Sequence, residues 1–298
     1  MKGSVGHFPV QFAGLEECPD PFREPLRRAL SPSEAVLEII YSPAFVTERL
    51  CLPASVFCVT NRQWIMVHES KSGDVRLDSA VFADTLLIEL TAILLYGRMK
   101  LDYAISSRSD SSECYFNTVM GRLYTKAIQR ILNLIDGIES CSSEKDRSIL
   151  TDLKDWPLKF RNLGWLFLPP GSKLFGSLHW PTVLGVFRRE LAPAAALFLT
   201  DRHLMIMAEE KSRAWFVKRD RTKYGAITAY CSRSRISGFQ VQEHRRFHIL
   251  ELEAHGAQGG KKFQVHFPPE KNEEITKLLS QALPVRTGGS TSVTEGRR

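Results

Sequence analysis

Apolar residues from Val56 to Val59 and from Trp64 to Val67 flank the polar triplet Thr60-Asn61-Arg62. The same arrangement returns at Leu197–Leu199, Thr200-Asp201-Arg202 and Leu204–Met207. Short apolar runs on either side of turn-forming residues predict two β-hairpins. Pro53–Glu69 aligns without gaps to Pro193–Glu209 at a constant offset of 140 residues, with proline, alanine, threonine, arginine and glutamate coinciding. Self-similarity at a fixed spacing points to a duplicated unit.

The flanks carry the repeat further. Pro25-Leu26-Arg27 precedes Leu30-Ser31-Pro32-Ser33-Glu34, as Pro157-Leu158-Lys159 precedes Leu168-Pro169-Pro170-Gly171-Ser172. Leu86–Tyr96, Met99–Ile105 and Cys114–Phe116 read as further strands in the first half. Phe239–Val241, Phe247–Leu252 and the alternating Lys262–Phe267 do so in the second. Each half then closes on an amphipathic helix. From Val119 to Ile138 the apolar residues Met120, Leu123, Tyr124, Ala127, Ile128, Ile131, Leu132 and Ile135 follow the helical period, with Arg122, Lys126 and Arg130 on the opposite face. The second helix starts near Pro269, with Glu270, Glu273 and Glu274 suited to its N-terminus and Ile275, Leu278, Leu279, Ala282 and Leu283 as its apolar stripe. These landmarks divide the chain into units at 25–140 and 157–284, joined by the polar Ser140–Glu144. Arg286–Arg298, rich in Gly, Ser and Thr, reads as a disordered tail, the 285–298 segment.

Several strands closed by one C-terminal helix, used twice, resemble tandem bacterial pleckstrin-homology-like domains. That family typically shows a Leu-x-Pro-Gly-Glu-like lead-in and a Leu-Thr-Asp/Asn-x-Arg hairpin. Here these are Leu30-Ser-Pro32-Ser-Glu34, Val59-Thr60-Asn61-Arg62, Leu168-Pro-Pro170-Gly171 and Leu199-Thr200-Asp201-Arg202, with Ser172 and Lys173 where the second lead-in should be acidic. The resemblance spans residues 25–284. It implies a mainly β fold with α, an α+β chain of two partly open barrels, each capped by its C-terminal helix. It also implies binding of lipid head groups, peptides or proteins, with no common catalytic residue. The repeated Thr-Asn/Asp-x-Arg turn reads as structural, since Thr and Asx side chains bond their own backbone in turns.

The chain has 298 residues, twice a common domain length, and 43% hydrophobic residues, enough for two cores. Its longest apolar stretch, Val81–Tyr96, is interrupted by Asp84 and Glu89 and is too short to span a bilayer as a helix. No apolar signal core follows Met1, so a cytoplasmic protein with peripheral contact to the membrane is expected. Six scattered cysteines (Cys18, Cys51, Cys58, Cys114, Cys141, Cys231) form no Cys-x-x-Cys pair, which favours reduced thiols over structural zinc or a disulfide framework. No metal or cofactor is expected.

The formal charge is +7, and it is concentrated. Between Lys211 and Arg246 ten basic residues oppose only Asp220 and Glu243, a local net of +8. Within this stretch Lys211, Arg213, Lys218, Arg219, Arg221 and Lys223 surround Trp215 and Phe216. Cations with interfacial aromatics suit an anionic membrane surface, each Lys or Arg contributing about 1 kcal/mol there. The same composition suits an acidic protein or, less well, nucleic acid with bases stacked on the rings; it also fits a solvated strand whose aromatics face the core. Lys211, Arg213, Trp215, Lys218, Arg219, Arg221 and Lys223 are the candidate binding residues.

Enzymatic readings have thinner support. Cys58 with His68, or Cys231 with His244, would supply nucleophile and base, but the cysteines stand in apolar strand surroundings. His244-x-x-x-His248 lacks a third metal ligand, and Gly256 with Gly259-Gly260 lacks phosphate-loop spacing. Trp156 and Trp165 read as packing residues. The expected function is therefore a non-enzymatic adaptor that meets an anionic membrane or acidic partner through the second half. The alternative is a protein–protein scaffold without lipid binding.

Overall fold

The structure is a computed structural model and describes residues 8–46, 51–70, 74–138, 147–185, 189–210 and 225–283. A short strand β1 (Val10–Phe12) precedes helix α1 (Asp20–Ala29) and strand β2 (Val36–Ser42). Two-residue strands β3 (Phe45–Val46) and β4 (Cys51–Leu52) lead to the first hairpin, β5 (Ser55–Thr60) and β6 (Gln63–Glu69). Strands β7 (Val75–Val81), β8 (Thr85–Ile93), β9 (Tyr96–Ile105) and β10 (Arg108–Asn117) follow, then helix α2 (Gly121–Ile135).

After helix α3 (Ser148–Asp152) the same order returns. Helix α4 (Leu158–Phe167) precedes β11 (Leu174–Trp180), short β12 (Val183–Leu184) and β13 (Glu190–Ala192), and the hairpin of β14 (Ala195–Thr200) and β15 (His203–Glu209). Strands β16 (Gly225–Ser232), β17 (Ile236–Glu243), β18 (His248–His255) and β19 (Gly260–Phe267) lead to helix α5 (Asn272–Ser280). The fold is α+β and mostly strand.

Helices α1 and α4 are not announced by the sequence, where Pro25-Leu26-Arg27 and Pro157-Leu158-Lys159 serve only as landmarks of the repeat. Pro25 lies inside α1, where proline removes a helical hydrogen bond, and it masks the Phe22, Leu26, Ala29 spacing. Helix α2 is shorter than the apolar period suggested. Asn117 accepts a hydrogen bond from the Val119 amide, and a single 3-10 turn over Thr118–Met120 precedes the first α-helical residue. Ser140–Glu144 and the 285–298 tail lie outside the described residues.

The longer sheets are antiparallel and open. One has the order β1-β2-β5-β6-β7, the second β10-β9-β8-β16-β15-β14-β11, and the third β17-β18-β19. The seven-stranded sheet draws on both halves of the chain. Its join is β8 against β16, with Ile93 opposite Gly225 and Ile88 opposite Tyr230.

Both hairpins are buried on two faces, which explains their unbroken apolar runs. Phe57, Val59, Trp64 and Met66 point into a core shared with α2 and β8–β10, while Cys58, Ile65 and Val67 meet Phe22 and Leu26 of α1. Displaced by 140 residues, Leu197, Leu199, Leu204 and Ile206 meet β17–β19 and Ile275, Leu278 and Leu279 of α5. Phe198, Met205 and Met207 meet α4 through Phe160 and Phe167, in the same core that α2 occupies. Trp156 packs on Phe198 at 5.3 Å.

The turn motif is a clamp. Thr60 Oγ1 accepts hydrogen bonds from the Arg62 and Gln63 amides at 3.1 and 3.0 Å, and Asn61 exchanges two bonds with the Ala35 backbone at 3.0 Å. Thr200 Oγ1 accepts from the Arg202 and His203 amides at 3.2 and 2.8 Å, and Asp201 exchanges two 2.9 Å bonds with the Lys173 backbone. Each hairpin turn is thus tied to its lead-in.

In the first half Glu34 completes the clamp. Burial pushes its carboxyl up, but hydrogen bonds donated by Thr60, the Ser31 amide, Gln63 and the Ser31 hydroxyl outweigh this and hold it below the usual carboxylate range. A depressed folded pKa contributes stability above the unfolded value of about 4.3, and that contribution is lost as pH falls through the folded value. Glu34→Gln is expected to cost about 1 kcal/mol at pH 7. In thermal denaturation between pH 7 and pH 3, its deficit relative to wild type should shrink as the wild-type carboxyl protonates; a constant deficit would contradict the assignment.

Further contacts bind the halves. His203 Nε2 lies 2.9 Å from Asp136 Oδ2, just beyond α2, and Ser232 donates to Asp136 Oδ1 at 2.9 Å. Lys261 of β19 pairs with buried Asp102 of β9 at 2.8 Å, and Gln258 donates from its amide and side chain to Asp84.

Candidate binding surface

Strand ends at one edge of the seven-stranded sheet carry several exposed apolar residues. The β8–β9 turn presents Leu94 and Leu95, which are 68% and 61% exposed. Leu94 has φ +51°, a left-handed conformation that costs a non-glycine residue about 1 kcal/mol or more. Thr118 holds the turn: its hydroxyl donates to the Leu94 carbonyl and its amide to the Leu95 carbonyl. Val119 beside it is exposed, as is Leu158 at the start of α4.

Next to this turn the chain leaves β15 after Glu209 and re-enters the sheet at Gly225, opposite Ile93. Lys159 of α4 fastens both strand ends, with Nζ 2.9 Å from Glu209 Oε1 and 2.9 Å from the Gly225 carbonyl. The candidate residues Lys211, Arg213, Trp215, Lys218, Arg219, Arg221 and Lys223 lie outside the described residues. The residues that flank their segment are described: Gly225 lies opposite Ile93 at the start of the Leu94-Leu95 turn, and Glu209 pairs with Ala226 one strand further on.

The remaining cations of the basic stretch are elsewhere. Arg233 stands beyond the opposite end of β16, eight residues and about 26 Å along the strand from Gly225. It donates to the Thr200, Asp201 and Ala282 carbonyls and lies over the Phe175 ring at 5.2 Å, a structural role. Arg245 and Arg246 are exposed in the β17–β18 turn. The local charge of +8 is therefore divided along the sequence among separate places in the fold.

Helices α2 and α4 leave a groove of about 640 Å³ between them on one face of the seven-stranded sheet, reaching Leu94 and Thr118 at its end. Leu90, Ala92 and Phe116 contribute apolar surface from the sheet, and Leu163 and Leu166 from α4. Arg122 and Lys126 stand on the α2 side. Both stand on the face of α2 opposite its apolar series, and the helical period alone does not show that α4 lies across from them.

The other candidate chemistries are taken apart by the fold. Burial pushes the Cys58, Cys114 and Cys231 thiols up to about 12. Cys58 stands opposite Ile65, and the Cys231 thiol donates to the Leu86 carbonyl, so neither faces the histidine once paired with it. His244 lies in the turn after β17, stacked on Phe247 at 5.0 Å, whereas buried His248 begins β18, so the two do not form a ligand pair. Cys141 is outside the described residues. Among the described residues no three His, Cys, Asp or Glu side chains gather as a metal site, and no helix is long and apolar enough to cross a membrane.

No family model matches the chain, and no curated protein matches it in sequence.

Proposed function

We propose that this chain is a non-enzymatic adaptor built of two pleckstrin-homology-like, helix-capped units, and that it attaches to an anionic membrane surface at the Leu94-Leu95 edge. The observation that carries the reading is the pairing of two exposed leucines, one in a strained conformation, with the ends of the segment holding Lys211, Arg213, Trp215, Lys218, Arg219, Arg221 and Lys223. Leucines reach the interfacial zone while cations meet anionic head groups, and together these two weak attractions give reversible, peripheral attachment. The supporting evidence for the family reading is the repeated order of helix, strands and closing helix, with the same turn clamp in each half.

Sedimentation with vesicles of phosphatidylcholine alone, or mixed with phosphatidylglycerol, tests this directly. Binding is expected only to the anionic vesicles. The triple reversal Lys218→Glu, Arg219→Glu, Arg221→Glu should weaken it by about 100-fold or more, since each cation contributes about 1 kcal/mol. Leu94→Ser with Leu95→Ser should weaken it by about tenfold. Equal binding to neutral vesicles, or binding indifferent to charge reversal, would remove the membrane and leave the scaffold reading.

A further inference from the structure

The groove between α2 and α4 joins two properties that point to one kind of ligand. Its floor and α4 wall are apolar, through Leu90, Ala92, Phe116 and Leu166, while Arg122 and Lys126 stand one turn apart on the α2 wall. The exposed Arg122 side chain makes no ion pair or hydrogen bond with another described residue. Lys126 also feels the buried Glu38 carboxylate. A guanidinium beside an apolar channel is suited to a carboxylate that carries a hydrocarbon tail, because its planar donors match the two oxygens while the tail leaves water.

Size selects among occupants. A volume of about 640 Å³ falls within the range of small-molecule sites, about 300–1,000 Å³. The lining residues of α2 run from Gly121 to Gln129, a rise of about 12 Å, long enough to follow an extended alkyl chain. We infer that this groove binds a single long-chain fatty carboxylate, with its head at Arg122 and its tail along the β8 floor.

The inference stands independently of membrane attachment, since it is tested in solution without vesicles. Calorimetry on the full chain would compare dodecanoate with 1-dodecanol, which keeps the tail without the charge, and acetate, which keeps the charge without the tail. Dodecanoate is expected to saturate at one molecule per chain, with the other two at least tenfold weaker. Arg122→Glu should weaken dodecanoate at least tenfold, and Thr125→Trp, which places a large ring midway along the α2 wall, should weaken it at least tenfold while the thermal midpoint is retained. Leu166→Glu, at an exposed position, repeats the blocking test should the tryptophan variant unfold. Absence of saturable binding, or binding that survives both the charge and the blocking substitutions, overturns the inference. A dimer in solution that Thr125→Trp dissolves would also overturn it, in favour of a second copy of the chain.

Discussion

Divided between residues 140 and 147, the chain is expected to yield two fragments, neither of which unfolds cooperatively by itself. The first fragment would keep β8 but lose β16, leaving the backbone groups of a long central strand unpaired at a sheet edge. It would also lose Phe160, Phe198, Met205, Met207 and Tyr230 from the core that α2 and β8–β10 share with the second half. Burial of those five side chains amounts to about 8–15 kcal/mol, at about 1.5–3 kcal/mol each. That is as large as the net stability of a typical domain. The second fragment would keep its hairpin and α4 but lose β8 from beside β16, together with the part of the shared core that α2 and β8–β10 supply. Circular dichroism during heating is the measurement. Broad, non-cooperative melting of each fragment, and a sharp transition when the two are co-expressed, is the expected outcome. A sharp transition in residues 1–140 alone would show that the join at β8–β16 is incidental.

His203→Leu is the point substitution with the largest expected cost, about 3 kcal/mol in urea unfolding. His203 is fully buried, and its Nε2 approaches Asp136 Oδ2 at 2.9 Å. The contact is a close approach of two buried polar groups rather than an aligned hydrogen bond, yet removing one member still leaves the other desolvated without its neighbour, which costs more than the pair itself contributed. Ser232 would still donate to Asp136 Oδ1, so the carboxylate is not wholly abandoned. Asp136→Ala combined with His203→Leu should cost less than the sum of the single changes, with a coupling of about 1 kcal/mol or more. Additive losses would show that the two side chains are neighbours without being partners.

His203 also shows how far the repeat could be read. It aligns with Gln63, and the clamp around both residues is the same. Gln63 donates to Glu34 within its own half, whereas His203 turns to Asp136 of the other half. The alignment shows the substitution but not the partner, because Asp136 lies 67 positions earlier in the chain. Arg122 and Lys126 teach the same lesson. Their helical phase places them away from the buried stripe of α2, and it is the position of α4 that converts a solvated face into the wall of a groove. The candidate cations were legible as a charge cluster, yet Arg233 left that cluster once its guanidinium was engaged by three carbonyls. The strained Leu94 gave no sign in the sequence, since two adjacent leucines at the end of an apolar strand look like its continuation.

By itself, the sequence determined the local elements: two hairpins with Thr-Asx turns, the amphipathic helices that close each half, and the offset of 140 residues between them. Those features follow from periods of two or 3.6 residues and from turn chemistry, which act over a few neighbouring positions. Only the tertiary structure decided that β8 pairs with β16, that the resulting sheet is open and shared, and that a groove lies between α2 and α4. The β8–β16 pairing depends on backbone hydrogen bonds between residues more than a hundred positions apart, and the groove brings together Arg122 and Leu163, 41 positions apart; apolar strands carry no local mark of which neighbour they will take.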